Sequence, residues 1–97
     1  MLSRNQIKTH VIADLASQFS RPVTDFNESD NLRTRWLFSD QSLRQWGEDL
    51  NNAPWFTGVI APSEIIACQT IGNVIDLLFG AQGRPKQQPG APSSGRS

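Results

Sequence analysis

The chain has 97 residues, 37% of them apolar, which suits one domain with a core of marginal size. A single cysteine excludes an internal disulfide, and no apolar run approaches the roughly 18 residues of a membrane span. The net charge is zero, but it is unevenly placed: residues 1–80 carry six basic and nine acidic side chains, 6 − 9 = −3, and residues 81–97 carry +3. The acidic body has no basic cluster and the basic tail is sparse, which argues against nucleic-acid binding. The N-terminus does not resemble a signal peptide, and we expect a cytoplasmic protein.

The first predicted helix covers residues 4–19. Aliphatic side chains repeat on one face of it: Ile7, Val11 and Leu15. Ser3 is a suitable N-cap, and Pro22 follows the helix and prevents its continuation. His10 lies off the apolar face with no cysteine or second histidine at ligand spacing, so no metal site is expected.

Residues 20–37 are predicted to form a long connection rich in Asn, Asp, Ser and Thr. A connection of this length in a small domain is often functional, or is held in place by its own apolar residues. Five apolar side chains are expected to hold it against the helices: Val23, Phe26, Leu32, Trp36 and Leu37.

The second predicted helix covers residues 40–52, with Ser39 or Asp40 as its N-cap. Its apolar stripe consists of Leu43, Trp46 and Leu50. Ser42 lies in the first turn but off this stripe, so its hydroxyl is expected to face water. The helix dipole and the free backbone N–H groups of a first turn favour an attached phosphate there.

A short third helix is predicted over residues 62–68 and a fourth over 70–79, with Thr70 as N-cap and Gly80 as the C-terminal glycine. The fourth helix has a strong core pattern: Ile71, Val74, Ile75, Leu78 and Phe79. Residues 81–97 contain no bulky apolar side chain and are predicted to be a disordered tail or linker. The expected fold is therefore an all-α four-helix bundle over residues 1–80, with a long first loop and a short third helix.

Three segments resemble the acyl carrier protein family. Residues 38–43 (Phe-Ser-Asp-Gln-Ser-Leu) are similar to the region of the family's Asp-Ser-Leu motif, whose serine carries 4′-phosphopantetheine. Residues 56–62 resemble the Phe-Gly-Ile-x-Ile-Pro turn before helix three. Residues 70–78 (Thr-Ile-Gly-Asn-Val-Ile-Asp-Leu-Leu) are close to the family's fourth helix. The spacing from Ser42 to Phe56 and to Thr70 needs no gap, and the resemblance covers about residues 4–80.

The resemblance implies a divergent acyl-carrier-protein-like bundle that is not itself an enzyme. Ser42 would carry 4′-phosphopantetheine, attached from coenzyme A by a phosphopantetheinyl transferase. An acyl or polyketide intermediate would be held on it as a thioester and passed to acyltransferase or ketosynthase-type enzymes. A monomeric carrier is expected, without a membrane or nucleic-acid partner.

The resemblance also implies two sets of residues around the second helix. The set expected to contact partner proteins is Leu43, Arg44, Trp46, Glu48 and Asp49. The set expected to line an acyl cleft is Leu43, Trp46, Ile60, Ile65 and Ile71. The alternative interpretation of the cleft set is an ordinary hydrophobic core, which every small helical bundle needs.

Three residues depart from the family pattern, and one of them, Pro54, shortens the second helix. Gln41 stands where an aspartate precedes the serine, and Arg44 stands where an acidic residue is common. These departures favour a specialised, polyketide-type pathway over general fatty acid biosynthesis. They also leave open a carrier-like protein-interaction module that is never pantetheinylated. A third alternative is an unrelated helical regulator that binds protein through its three tryptophans: Trp36, Trp46 and Trp55.

Overall fold

The computed structural model describes residues 1–85, and over this range the chain folds as an all-α bundle of four α-helices. The helices are α1 (Arg4–Phe19), α2 (Asp40–Asn51), α3 (Pro62–Ile66) and α4 (Ile71–Ala81), and a 3-10 turn, Val23–Asp25, follows α1. The chain packs α1 against α4 and α2 against α3. The predicted fold class is confirmed, although α2 ends one residue and α3 two residues before the predicted bounds.

Reciprocal capping fixes where three of these helices begin. In each case the N-cap hydroxyl accepts a hydrogen bond from the backbone N–H of the third helical residue. The side chain of that third residue in turn accepts one from the backbone N–H of the N-cap. The pairs are Ser3–Gln6, Ser39–Ser42 and Thr70–Asn73. The predicted caps Ser3 and Thr70 are confirmed, and Ser39 rather than Asp40 caps α2.

The prediction that α4 ends at Gly80 is wrong, because the helix continues through Gly80 to Ala81. Ala81 is fully buried. The next residue, Gln82, accepts a hydrogen bond from the Leu2 backbone N–H at 2.8 Å and donates one to the Leu2 carbonyl at 2.9 Å. Burial of Ala81 and this link to the N-terminus outweigh the local preference of glycine for a helix end.

The folded body therefore extends beyond the predicted boundary at residue 80. Besides Gln82, the Arg84 guanidinium pairs with Glu64 at 2.7 Å. The first residues of the predicted tail thus pack on the bundle, and residues 86–97 of that tail lie outside the described residues.

An aromatic cluster holds the long connection between α1 and α2. It consists of Phe19, Phe26, Trp36, Phe38 and Trp46. The ring of Phe19, at the end of α1, lies 5.2 Å from Trp36 and 5.8 Å from Phe38. The connection thus contributes three rings to the core of the bundle.

Two of the five residues expected to hold the connection do not do so. Phe26, Leu32 and Trp36 are buried as predicted, but Val23 is 53% exposed and Leu37 is 80% exposed. The backbone of Leu37 is left-handed, with φ 60°, so the chain turns there and Phe38 points inward instead. The burial of Phe38, at 8% exposure, replaces the predicted burial of Leu37.

The connection also supplies hydrogen-bond acceptors to the start of α4. The Ile71 N–H donates to the Asp30 carbonyl at 3.1 Å and the Gly72 N–H to the Glu28 carbonyl at 2.9 Å. These bonds satisfy backbone donors that have no partner within the helix. A Cβ at position 72 would lie only 3.2 Å from that Glu28 oxygen, so glycine permits this close approach.

Glu28 is the centre of an ion-pair network that joins α1 to the connection. Its carboxylate lies 2.7 Å from Arg4 and 3.2 Å from Lys8, and Arg4 also pairs with Asp76 on α4 at 2.6 Å. The hydrogen bond from Arg4 is the largest cause that lowers the pKa of Glu28 from 4.5 to about 2.

Glu28→Gln is expected to lower the free energy of unfolding at neutral pH and to make that free energy change less with pH in the acid range. The pKa of Glu28 is about 2 when folded and 4.5 when unfolded, so its contribution is complete above 4.5 and is lost as the pH falls towards 2. Urea denaturation across that range measures this loss. The control is Glu48→Gln, which removes an exposed carboxylate that makes no ion pair within residues 1–85. Equal pH dependence in the two variants would contradict the role of Glu28.

Gly58→Ala and Gly80→Ala are expected to have opposite effects on stability. A Cβ at Gly58 would overlap the backbone carbonyl of Ala81, whereas a Cβ at Gly80 would meet no heavy atom within 4 Å. We expect the first variant to lose about 2 kcal/mol or more through overpacking, and the second to gain up to about 1 kcal/mol as a helical alanine. Urea denaturation of both variants measures the difference, and shifts of the same sign would contradict it.

Candidate functional site

Ser42 is the third residue of α2 and is exposed at its N-terminal turn. Its hydroxyl is nevertheless hydrogen-bonded to the chain. The Ser39 N–H donates to Ser42 Oγ at 2.7 Å, and Ser42 Oγ lies 3.1 Å from the Ser39 carbonyl, to which it donates. This corrects the expectation that the hydroxyl simply faces water: a reagent can reach Ser42, but its Oγ also completes the cap of α2.

The charges around this turn come from two elements. Asp40, in the first turn, pairs with Arg33 of the connection at 2.7 Å. Arg33 also donates to the Ile66 carbonyl at the end of α3, at 3.1 Å. The Arg33 guanidinium therefore lies near the positive end of the α2 dipole, and the Asp40 carboxylate partly offsets its charge. An anion attached at Ser42 would be stabilised by the helix N-terminus, with Arg33 close to the same turn.

The structure divides the predicted partner-binding set into two groups. Arg44, Glu48 and Asp49 are exposed along α2. Leu43 and Trp46 are 0% and 1% exposed, because the apolar stripe of α2 faces the rest of the bundle. The side chains of these two residues do not reach the surface that a partner protein would contact.

The predicted acyl-cleft set lies together in one continuous core. Its members are at most 2% exposed: Leu43, Trp46, Ile60, Ile65 and Ile71. The Trp46 indole N–H donates to Asp14 of α1 at 2.6 Å, which fixes the ring across the bundle. The set is brought together as expected, but in this conformation it is packed as ordinary core.

A groove of about 430 Å³ lies elsewhere, between α1 and the 3-10 turn. Residues within 5–13 and 23–26 line it, and the partly exposed Val23 is one of them. None of the predicted site residues lines it. Sequence reasoning missed this groove because it forms only when the connection folds back along α1, and no local pattern indicates that path.

The described residues offer neither a reactive thiol nor a metal-binding cluster. Cys68 is buried, and burial raises the pKa of its thiol to about 11, so the reactive thiolate is disfavoured at neutral pH. Within residues 1–85 no group of three or more His, Cys, Asp or Glu side chains is placed to hold a metal ion. No helix in this range has the length and apolar character needed to cross a membrane.

Comparison with protein-family models, curated proteins and solved structures finds no match in any of the three. The assignment of a site therefore depends on the geometry of this chain and on the sequence resemblance alone.

Ser39→Ala and Ser42→Ala are expected to destabilise the protein through the same cap. Loss of the Ser39 acceptor should cost about 1 kcal/mol, and loss of the Ser42 acceptor a similar or smaller amount. Because the two hydroxyls bond each other's backbone, the double variant should lose less than the sum of the single losses.

Urea denaturation of the single and double variants tests this coupling. Ser17→Ala is the control, because Ser17 is exposed on α1 and is outside the cap. Strictly additive losses, or losses no larger than that of Ser17→Ala, would contradict the reciprocal cap.

Proposed function

We propose that this protein is an acyl carrier protein whose Ser42 carries 4′-phosphopantetheine. The observation that supports this most is the exposed Ser42 in the first turn of α2. Two further features fit the expectation from the resemblance: a long first connection held by its aromatic residues, and a short α3 between α2 and α4. The residues around Ser42 fit an attached phosphodiester, because the helix N-terminus favours negative charge.

The attached group would supply a terminal thiol that holds an acyl intermediate as a thioester. The chain supplies the attachment point: Ser42 Oγ forms the bond to phosphorus, its proton leaves to a base of the transferase, and the nucleotide part of coenzyme A departs. Ser42 can then no longer donate to the Ser39 carbonyl, but its Oγ remains an acceptor. Modification thus needs a brief opening of the cap, which the exposure of this turn permits.

The packed core constrains how a carried acyl group is sheltered. Leu43 and Trp46 are buried, and the bond from Trp46 to Asp14 holds α2 against α1. Entry of an acyl chain among these residues requires the packing of α2 on its neighbours to open. We propose that the carried group otherwise stays on the surface of the bundle, where the partner enzymes collect it.

The remaining assignments are part of the same proposal. The protein would be a cytoplasmic monomer and not an enzyme, serving a specialised, polyketide-type pathway. Its partners would be a phosphopantetheinyl transferase and acyltransferase or ketosynthase-type enzymes. Arg44 on the exposed face of α2 supports a dedicated partner, because the family's usual α2 surface is acidic.

A second candidate is a carrier-like interaction module that is never pantetheinylated. The observation that favours it is the use of the Ser42 hydroxyl as both donor and acceptor in the cap of α2, which gives this serine a structural role without any modification. Gln41 in place of the motif's aspartate points the same way.

Incubation with coenzyme A and a promiscuous phosphopantetheinyl transferase separates the two candidates. A carrier is expected to gain the mass of one phosphopantetheine by intact-mass spectrometry, whereas Ser42→Ala gains none. Ser39→Ala is the matched control, because it disturbs the same cap but keeps the Ser42 hydroxyl to which phosphopantetheine would be attached. Gln41→Asp is expected to be modified faster than the native protein.

No gain on the native protein or on Gln41→Asp would contradict the carrier and favour the module, provided that both are folded by circular dichroism. A gain that persists in Ser42→Ala would contradict the assignment of the site.

A further inference from the structure

Leu37 combines two unusual properties. It is 80% exposed, and its backbone is left-handed with φ 60°. A single exposed leucine is ordinary, but a bulky side chain at positive φ is strained and uncommon. Glycine would relieve this strain at no cost in buried contacts, so Leu37 has no evident role in stabilising the bundle.

The neighbouring residues force this conformation on Leu37. The Phe38 N–H donates to the Leu32 carbonyl at 2.9 Å, which closes the segment between them into a loop. On one side of Leu37, Trp36 is 6% exposed and its indole N–H donates to Asp30 at 3.1 Å; on the other side, Phe38 is 8% exposed. With both neighbours fixed inward, the backbone at Leu37 is held in place and its side chain points to solvent.

Two cations of the described residues form no ion pair, one on the loop that carries Leu37 and one on the helix that follows it. Residues 1–85 contain seven Lys and Arg side chains, and five of them form ion pairs: Arg4, Lys8, Arg21, Arg33 and Arg84. The two that form none in this range are Arg35 and Arg44. Arg35 lies over the Trp36 ring at 4.3 Å, two residues before Leu37. Arg44 follows Asp40 by four residues and so lies on the side of α2 that carries the Arg33–Asp40 pair.

We infer that Leu37, Arg35 and Arg44 form a docking surface for an acidic protein segment that has an apolar socket for the leucine. The unpaired cations supply the charge complementarity, and the exposed leucine, on a backbone held by its two neighbours, supplies the apolar anchor. One apolar side chain and two cations offer little to a lipid surface, which favours a protein partner. The inference goes beyond the proposed carrier function and does not require modification of Ser42.

A display library of random 12-residue peptides, selected on the immobilised protein and depleted on Leu37→Gly, tests the docking surface. Enriched peptides are expected to combine several Asp or Glu residues with a large apolar residue. The affinity of the most enriched peptide should fall about tenfold or more in Leu37→Gly and in Arg44→Glu, and should weaken with salt.

Two variants serve as controls for that affinity. Phe79→Ser removes another exposed apolar side chain, 45% exposed on α4, and is expected to leave the affinity unchanged. Ser42→Ala should also keep the affinity, which separates this inference from the fate of the phosphopantetheine site.

Several results would overturn the inference. The selection would contradict it if no peptide binds the native protein better than Leu37→Gly, or if the enriched peptides lack acidic residues. A loss of affinity in Phe79→Ser as large as that in Leu37→Gly would contradict it as well. Leu37-dependent binding to phosphatidylserine vesicles without peptide enrichment would assign the surface to a membrane instead. Leu37→Gly is also expected to be at least as stable as the native protein in urea, and a clear loss of stability would show that Leu37 is structural.

Discussion

The packing of Phe19 against Trp36 and Phe38 determines how the rest of the bundle is arranged. The connection between α1 and α2 has only one 3-10 turn of regular structure, so its path depends on the side chains that it buries. Phe38 stacks in turn on Trp46, with ring centroids 5.3 Å apart, and Trp46 is tied to Asp14 of α1. This chain of contacts fixes the start of α2 relative to α1, and therefore the position of Ser42.

Ser42 illustrates a conflict between stability and chemistry. A serine hydroxyl at the third position of a helix can complete a reciprocal cap, and in this chain it does. The same hydroxyl is the one that a transferase would have to use. The conflict is moderate, because the turn is exposed, the serine remains an acceptor after modification, and a phosphate at a helix N-terminus offsets part of the lost hydrogen bonding.

Much of the fold could be predicted from the sequence, because helix starts and apolar faces are local signals. The bounds of α1, the caps Ser3 and Thr70 and the buried stripe of α2 follow from such signals. The failures occur where distant contacts override them. Gly80 lies inside α4 because Ala81 is buried and Gln82 binds the backbone of Leu2.

The candidate site was predictable in outline but not in detail. The exposure of Ser42 follows from its place off the apolar stripe, whereas the engagement of its hydroxyl requires the backbone geometry of the cap. Leu37 was expected to be buried because it is apolar, and only the closure of its loop by Phe38 and Leu32 shows that it points outward. The groove along α1 depends on the same long-range folding of the connection.

The most direct test of the carrier assignment is the mass of the protein as its own cells produce it. Trypsin cleaves after Arg35 and Arg44, so fragmentation of the peptide between them distinguishes Ser39 from Ser42. The carrier assignment predicts one phosphopantetheine group, free or acylated, on Ser42. Protein purified from those cells with an unmodified mass in every growth phase would contradict it and would leave Ser42 as part of the α2 cap.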